Sequence, residues 1–206
     1  AMTRTITYYF TSSSPWTHIG HEPFLEVVAR HALKVEYRPM PVSEVFARTG
    51  GLPLGQRPPQ RQRYRLLELQ RWRDRRGMTF NIQPRFFPVD PGLADRSVIA
   101  LIARDRDPAT YLRRIFETVW EEEGDISDAE TLAALLDEAE HPAQAVLDEA
   151  RGNAVEALYT LNAESAVAAD VFGAPSYVLD GEVFWGQDRV ELLDDALSSG
   201  RAPYRP

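Results

Sequence analysis

The sequence predicts an α/β fold in which the two ends of the chain form one sheet and the middle is a block of helices. Three observations predict it. The opening stretch, to Met40, reads strand–helix–strand. The closing stretch, from Ser176, reads strand–strand–helix. Between them, apolar residues recur at helical rather than strand spacing.

Thr5 to Phe10, rich in Thr, Ile, Tyr and Phe, reads as the first strand. Ser14 followed by Pro15 marks a helix start. A serine oxygen can accept from a free N–H of the first turn, and proline lacks the N–H that would otherwise go unpaired there. Phe24, Val27, Val28 and Leu33 continue that helix. Val35 to Met40 alternates again, and Pro39 and Pro41 place this second strand at an edge or near its end. A loop rich in glycine and proline follows, and a helix through Tyr64, Leu67 and Trp72 ends at Gly77.

Three prolines, Pro84, Pro88 and Pro91, make the stretch from Asn81 to Pro91 a loop. Leu112, Ile115, Phe116, Val119 and Trp120 lie on one helix face. Ser127 to Glu130 reads as a capping box ahead of Leu132, Leu135 and Leu136. Pro142 opens the next helix, and Val155, Leu158 and Val167 mark another that stops at Gly173. Asp180-Gly181 between Ser176–Leu179 and Glu182–Trp185 is a strong type I′ hairpin signal. A helix through Val190, Leu193 and Leu197 closes the chain, with Gly200 beyond its end. This is the order of a thioredoxin-like fold interrupted by helices: a thioredoxin-like part over 2–56 and 173–206, and a helical insertion over 57–172.

The composition narrows the function. The chain has 206 residues, a formal net charge of −8 and no cysteine. Without cysteine there is no disulfide, no thiolate metal site and no thiol chemistry on the protein's own side chains. The acidic balance argues against a general nucleic-acid binder. No apolar run reaches the ~20 residues that span a bilayer. The alternating stretch from Met2 to Phe10 has no signal-peptide core, and Ala1 ahead of it reads as a cloning remnant, so a cytoplasmic protein without membrane partners is expected. Charge is unevenly spread: eight arginines and two acids lie between Arg57 and Arg76, and eleven acids without Lys or Arg between Glu121 and Glu149. Such blocks form solvated helix faces or, for the arginines, an anion site that grips a carboxylate in bidentate fashion.

In a thioredoxin-like fold the reactive place is the N-terminus of the first helix, where free N–H groups and the helix dipole favour an anion. Ser14-Pro15-Trp16-Thr17 stands where a redox protein would have Cys-Pro-x-Cys. Ser14 therefore reads as a plain cap or as a hydrogen-bond donor to a thiolate brought by another molecule, and one hydroxyl can do both. Ala174-Pro175 ahead of the third strand is expected to be a cis bond facing Ser14, leaving the Ala174 backbone free to pair with an extended ligand. His18 and His21 share a helix face, but no cysteine or acidic partner completes a metal site, and none is expected.

Ser13-Ser14-Pro15-Trp16, Gly55-Gln56-Arg57-Pro58-Pro59, Tyr64 through Leu69-Gln70-Arg71-Trp72, Asn81-Ile82-Gln83-Pro84 with Phe87-Pro88, and Phe172-Gly173-Ala174-Pro175 with Asp180-Gly181 and Phe184-Trp185-Gly186-Gln187-Asp188-Arg189 together resemble the 2-hydroxychromene-2-carboxylate isomerase family. Those enzymes are relatives of kappa-class glutathione transferases with a DsbA-like thioredoxin fold. The resemblance implies a glutathione cofactor and an aromatic acid as substrate. It also implies a homodimer.

It assigns Ser14 to the glutathione sulfur, and Ala174 with Pro175 to the cysteinyl backbone. Gln187 and Asp188 take the γ-glutamyl end, Asp188 being equally placed to cap the last helix. Arg61, with Arg57 as rival, meets the glycyl carboxylate. Asn81 would steady the substrate carboxylate, with Trp16 and Phe87 as aromatic walls. The implied reaction is conjugate addition of the thiolate, ring opening, bond rotation and loss of the thiol.

The chain departs from the family at Thr11, where an Asp is common, and at His18, where an aromatic residue is common. Two other readings stand beside the isomerase. A kappa-like glutathione transferase would use the same Ser14 site and release a conjugate, whereas a non-catalytic binding protein would keep only the fold.

Overall fold

A computed structural model describes residues 3–206; Ala1 and Met2, the start of the alternating stretch, lie outside the described residues. Strand β1 (Thr5–Phe10) leads into helix α1 (Pro15–Arg30) and strand β2 (Lys34–Pro39). Then come α2 (Val42–Thr49), a 3-10 turn at Leu54–Gln56, α3 (Pro59–Arg75), α4 (Gly92–Ala103), α5 (Ala109–Trp120), α6 (Ala129–Glu138), α7 (Ala143–Ala150) and α8 (Asn153–Ala168). The chain returns to the sheet with β3 (Ser176–Leu179) and β4 (Glu182–Trp185), and ends in a 3-10 turn at Gln187–Arg189 and α9 (Val190–Ser199).

The sheet order is β2-β1-β3-β4. β1 pairs parallel with β2 and antiparallel with β3, and β3 and β4 form the hairpin. As its prolines indicate, β2 is an edge strand. β1 is central, and burial on both its faces accounts for its run of apolar side chains. Ile6, Tyr8 and Phe10 enter the main core with Phe24 of α1 and Tyr177 of β3. Tyr9 points to the other face, into a smaller cluster with Val45 of α2 and Ala163 and Ala166 of α8. The main core runs on without a break into Leu112, Phe116 and Trp120 of α5 and Leu136 of α6, so the inserted helices and the sheet share one interior.

α2 and α4 were not anticipated, because Pro41 and Pro91 stand at their N-caps without a side-chain cap. The cap of α6 is Asp128, whose side chain accepts from the Glu130 N–H, rather than Ser127. Ser127 instead donates its hydroxyl to Asp125 at 2.6 Å. α8 stops at Ala168, short of Gly173, where Val171 N–H turns back to the Ala166 carbonyl. β2 begins at Lys34, one residue early. The hairpin turn is as expected, with positive φ at both Asp180 and Gly181.

Candidate active site

Three segments converge at one end of the sheet. Tyr9 of β1 pairs with Ser176 of β3, so the chain leaving β1 towards Ser14 lies beside the chain arriving at β3 through Ala174-Pro175. The Gly186 N–H donates to the Pro175 carbonyl at 2.8 Å, which fastens the turn after β4 to the same place. The Ala174–Pro175 bond is cis, as expected; Phe87–Pro88, for which the sequence suggests only a loop, is cis as well.

Ser14 is the N-cap of α1. Its Oγ accepts from the Thr17 N–H at 3.2 Å, and its own proton is left to donate. Ser14 is 9% exposed, so a ligand atom held there would be largely shielded from water. One turn inside, the Thr17 hydroxyl is buried without a partner. Burial then takes His18 and His21 down to about 4, so both rings are neutral at pH 7. His21 Nδ1 lies 3.2 Å from the Tyr8 hydroxyl, and His18 Nε2 lies 3.8 Å from Glu121. Among the described residues no group of three or more His, Cys, Asp or Glu stands in a metal-holding arrangement.

The loop between β1 and α1 is held from below by a residue that the sequence reading missed. Asp95 of α4 is fully buried, and four donors converge on its carboxylate. Oδ1 receives the Ser12 N–H at 2.7 Å and the Ser12 hydroxyl at 2.6 Å. Oδ2 receives the Thr11 hydroxyl at 2.9 Å and the Tyr159 hydroxyl at 2.6 Å. Burial pushes the Asp95 carboxyl up to about 6 against the pull of those hydrogen bonds. Thr11 and Ser12 are thereby tied to α4. The signal for Asp95 would have been one acid within the apolar run from Leu93 to Leu101, legible only once that run is known to be a helix facing the core.

Gln187 is buried, but its side chain is engaged: Oε1 accepts from Arg76 at 3.0 Å, and Arg76 also reaches the Gln187 carbonyl and Glu191. Asp188 does not cap α9, whose N-cap is Arg189 with no side-chain bond. The Asp188 side chain is 40% exposed, and its carboxylate accepts from Arg189 at 3.3 Å.

Arg57 and Arg61 belong to a cationic group that includes Arg65, also missed from sequence. Burial and the neighbouring Arg61 lower Arg57, and burial and Arg57 bring Arg65 down to about 10. The Arg57 Nε donates to the Leu52 carbonyl, and the Arg65 guanidinium sits 5.3 Å from the centre of the Phe87 ring. Such mutual repulsion would be relieved by an anion.

Phe87 begins a row of rings: it lies 4.9 Å from Trp120, which lies 6.3 Å from Phe80, which lies 5.6 Å from His18 of α1. Asn81 joins the row through its N–H, which donates to the Trp120 carbonyl at 2.7 Å, while its side chain donates to Glu123. Trp16 is half-buried against the main core and takes no part in the row. Asn81, Phe80 and Glu121 line a cleft of about 510 Å³ with Arg73 and Thr79. A larger cavity, of about 800 Å³, follows the edge of β2 and includes none of these residues.

Residues 5–198 match the DSBA-like thioredoxin domain. The chain belongs to that family. Among curated relatives of this DsbA-like chain, the 2-hydroxychromene-2-carboxylate isomerase of Sphingobium xenophagum is 26% identical over 198 residues, which cover 95% of this chain and 99% of the relative. The enzyme of the same name from Pseudomonas putida is 24% identical, with 93% of each chain covered. A solved 2-hydroxychromene-2-carboxylate isomerase has a TM-score of 0.80 at 22% identity over 95% of both chains. The cytosolic disulfide reductase DsbM of Pseudomonas aeruginosa, solved with GSH, has a TM-score of 0.68 at 17% identity, covering 95% of this chain and 96% of its own. The fold of this DsbA-like chain is therefore a thioredoxin fold with a helical insertion. No helix among the described residues is long and apolar enough to cross a membrane.

Proposed function

We propose that the chain is a glutathione-dependent isomerase acting on aromatic acids of the 2-hydroxychromene-2-carboxylate type. The observation that carries the reading is the Ser14 hydroxyl, fixed as the cap of α1 with its proton free to donate. The relatives named as isomerases and the GSH-bound neighbour of the same fold support it.

The residues present fit glutathione. The unpartnered Thr17 hydroxyl, the Trp16 N–H and the dipole of α1 favour a thiolate beside Ser14. The Ala174 backbone, next to Pro175 at the start of β3, is placed to pair with an extended cysteinyl backbone. Asp188 takes the γ-glutamyl ammonium, and Gln187, held by Arg76, shapes the turn that presents it. Arg57 and Arg61 take the glycyl carboxylate.

When bound, glutathione supplies a thiolate nucleophile for conjugate addition to the unsaturated acid. The protein's part is to lower the thiol's pKa and to hold the substrate in place. Arg65, above the Phe87 ring, grips the substrate carboxylate, and the half-buried Phe87 ring, backed by the buried Trp120, walls the aromatic part. Asn81 adjoins Trp120 in the same row, and Trp16, two residues beyond Ser14 on α1, would border the substrate from the Ser14 side.

The test is glutathione binding by calorimetry, wild type against Ser14→Ala, repeated with S-methyl glutathione, followed by turnover of hydroxychromene acids. Binding that weakens on losing either the hydroxyl or the free thiol is expected. No binding at millimolar glutathione would overturn the reading.

A further inference from the structure

We propose that Asp95 is a positioning residue for Ser14: the carboxylate from α4 fixes the turn that aims the Ser14 hydroxyl and the first N–H groups of α1. The proposal rests on the reading of Ser14 given above. Its evidence is the path of hydrogen bonds. Asp95 holds the Thr11 side chain and both the backbone and side chain of Ser12. The Ser14 N–H then donates to the Thr11 carbonyl at 3.3 Å, closing the turn on the residue that Asp95 grips. Asp95 therefore touches neither Ser14 nor the ligand, and acts through two residues between them.

Asp95 is neither half of an ion pair nor a general base. An ion pair would set a cation against the carboxylate, whereas all four of its partners are hydroxyl or amide donors. A general base would need a free oxygen facing the site, and both oxygens here are filled.

The same four donors make the clamp sensitive to protons. A carboxylate offers about four acceptor positions, and four donors occupy them. A proton taken up by Asp95 must displace one of these donors or turn one of the three hydroxyls round to accept. The groups that face the carboxylate are Thr11 and Ser12 from the loop and Tyr159 from α8, with Asp90 and Arg96 near enough to bear on the Tyr159 hydroxyl. The raised value of about 6 puts this uptake within reach of ordinary buffers.

The experiment compares wild type, Asp95→Asn and Tyr159→Phe by two independent readouts. The first needs no ligand: the NMR shift and hydrogen exchange of the Ser12, Ser14 and Thr17 amides across pH. In wild type the Ser12 amide is expected to titrate with the carboxyl. In Asp95→Asn it is flat and the three amides exchange faster. In Tyr159→Phe, which removes one donor to the carboxylate, the midpoint moves up.

The second readout is the ultraviolet absorbance of the bound glutathione thiolate, together with kcat and KM. Asp95→Asn is expected to raise the thiol's titration point, to remove the acid limb of kcat and to lower kcat by about tenfold to a hundredfold, with substrate KM little changed. Glutathione binding and thiolate titration like those of wild type in Asp95→Asn would overturn the proposal. Should wild type itself fail to bind glutathione, the Ser14 reading falls and the amides alone decide: unchanged exchange in Asp95→Asn overturns the positioning role, and loosened exchange upholds it. Should Asp95→Asn fail to fold, a Ser12 midpoint unmoved by Tyr159→Phe overturns it.

Discussion

Gly20 of α1 and Gln187 after β4 approach so closely that a Cβ added to Gly20 would stand 2.5 Å from the Gln187 Cβ and 2.9 Å from the Tyr177 hydroxyl. No side chain fits there, so α1 is seated against the turn that carries Asp188. Gly20→Ala is expected to cost about 1–3 kcal/mol of stability through overpacking. It should also weaken glutathione binding, because the turn and the Ser14 end of α1 are pushed apart. Urea denaturation and calorimetry on the same variant check both effects.

Ser14 serves as a cap and, on the proposed function, as a thiolate donor, and two substitutions separate these roles. Ala at an N-cap costs roughly 1 kcal/mol, whereas Gly costs only a few tenths. Ser14→Gly is therefore expected to retain nearly all the stability that Ser14→Ala loses, while both lose the thiolate absorbance of bound glutathione. A variant that loses absorbance only in proportion to its stability would place Ser14 in the cap alone.

Much of this architecture was legible because local and tertiary signals agree. Ser14-Pro15 gives a capped helix start, Asp180-Gly181 gives the hairpin turn, and the alternating stretches near both ends of the first helix are the strands β1 and β2. α4 was hidden because its N-terminus carries Pro91 rather than a capping side chain, and its loss took Asp95 with it. Arg65 looked like one more charge on a solvated helix, since only the packing of the loop carrying Phe87 brings an aromatic ring beneath it. Asp188 reads as a helix cap in sequence, but a 3-10 turn precedes α9 and takes that place. Contacts made across the insertion leave no periodic trace in the residues that make them.

His18 and His21 fix how the fold responds to acid. Both are buried and have values lowered from 6.5 to about 4. Their stabilising contribution is complete above pH 6.5 and is lost as pH falls through 4, at about 3 kcal/mol each. His18→Phe, which keeps a ring against Phe80 and Phe116, is expected to remove about half of that loss. Urea midpoints measured between pH 7 and pH 4 should converge less steeply in this variant than in wild type.

Asp95 works in the opposite direction. Its folded value of about 6 lies above its ordinary 3.8, so its contribution favours the fold below 3.8 and is lost as pH rises through 6. The span corresponds to about 3 kcal/mol, which offsets roughly half of what the two histidines lose on acidification. Asp95→Asn abolishes that offset. Stability of this variant, compared with its own value at pH 7, is expected to fall more steeply towards pH 4 than that of wild type, and titration by urea denaturation reads the difference directly.

Arg65 and Arg57 can be assigned to separate carboxylates by the same reasoning from charge. The two guanidiniums repel each other, and Arg65→Met keeps an apolar stem against Phe87 while removing one of the charges. Stability should therefore change by no more than about 1 kcal/mol. A hydrogen bond to a charged group contributes about 1.5–3 kcal/mol, so loss of the grip on a substrate carboxylate should raise KM by roughly tenfold to a hundredfold. The amide of the same substrate, which lacks the charge, should show little difference between wild type and variant. Arg57→Met is expected to weaken glutathione and to leave the ratio of acid to amide KM unchanged. Exchange of these two outcomes would move the substrate carboxylate to Arg57 and the glycyl carboxylate to Arg65.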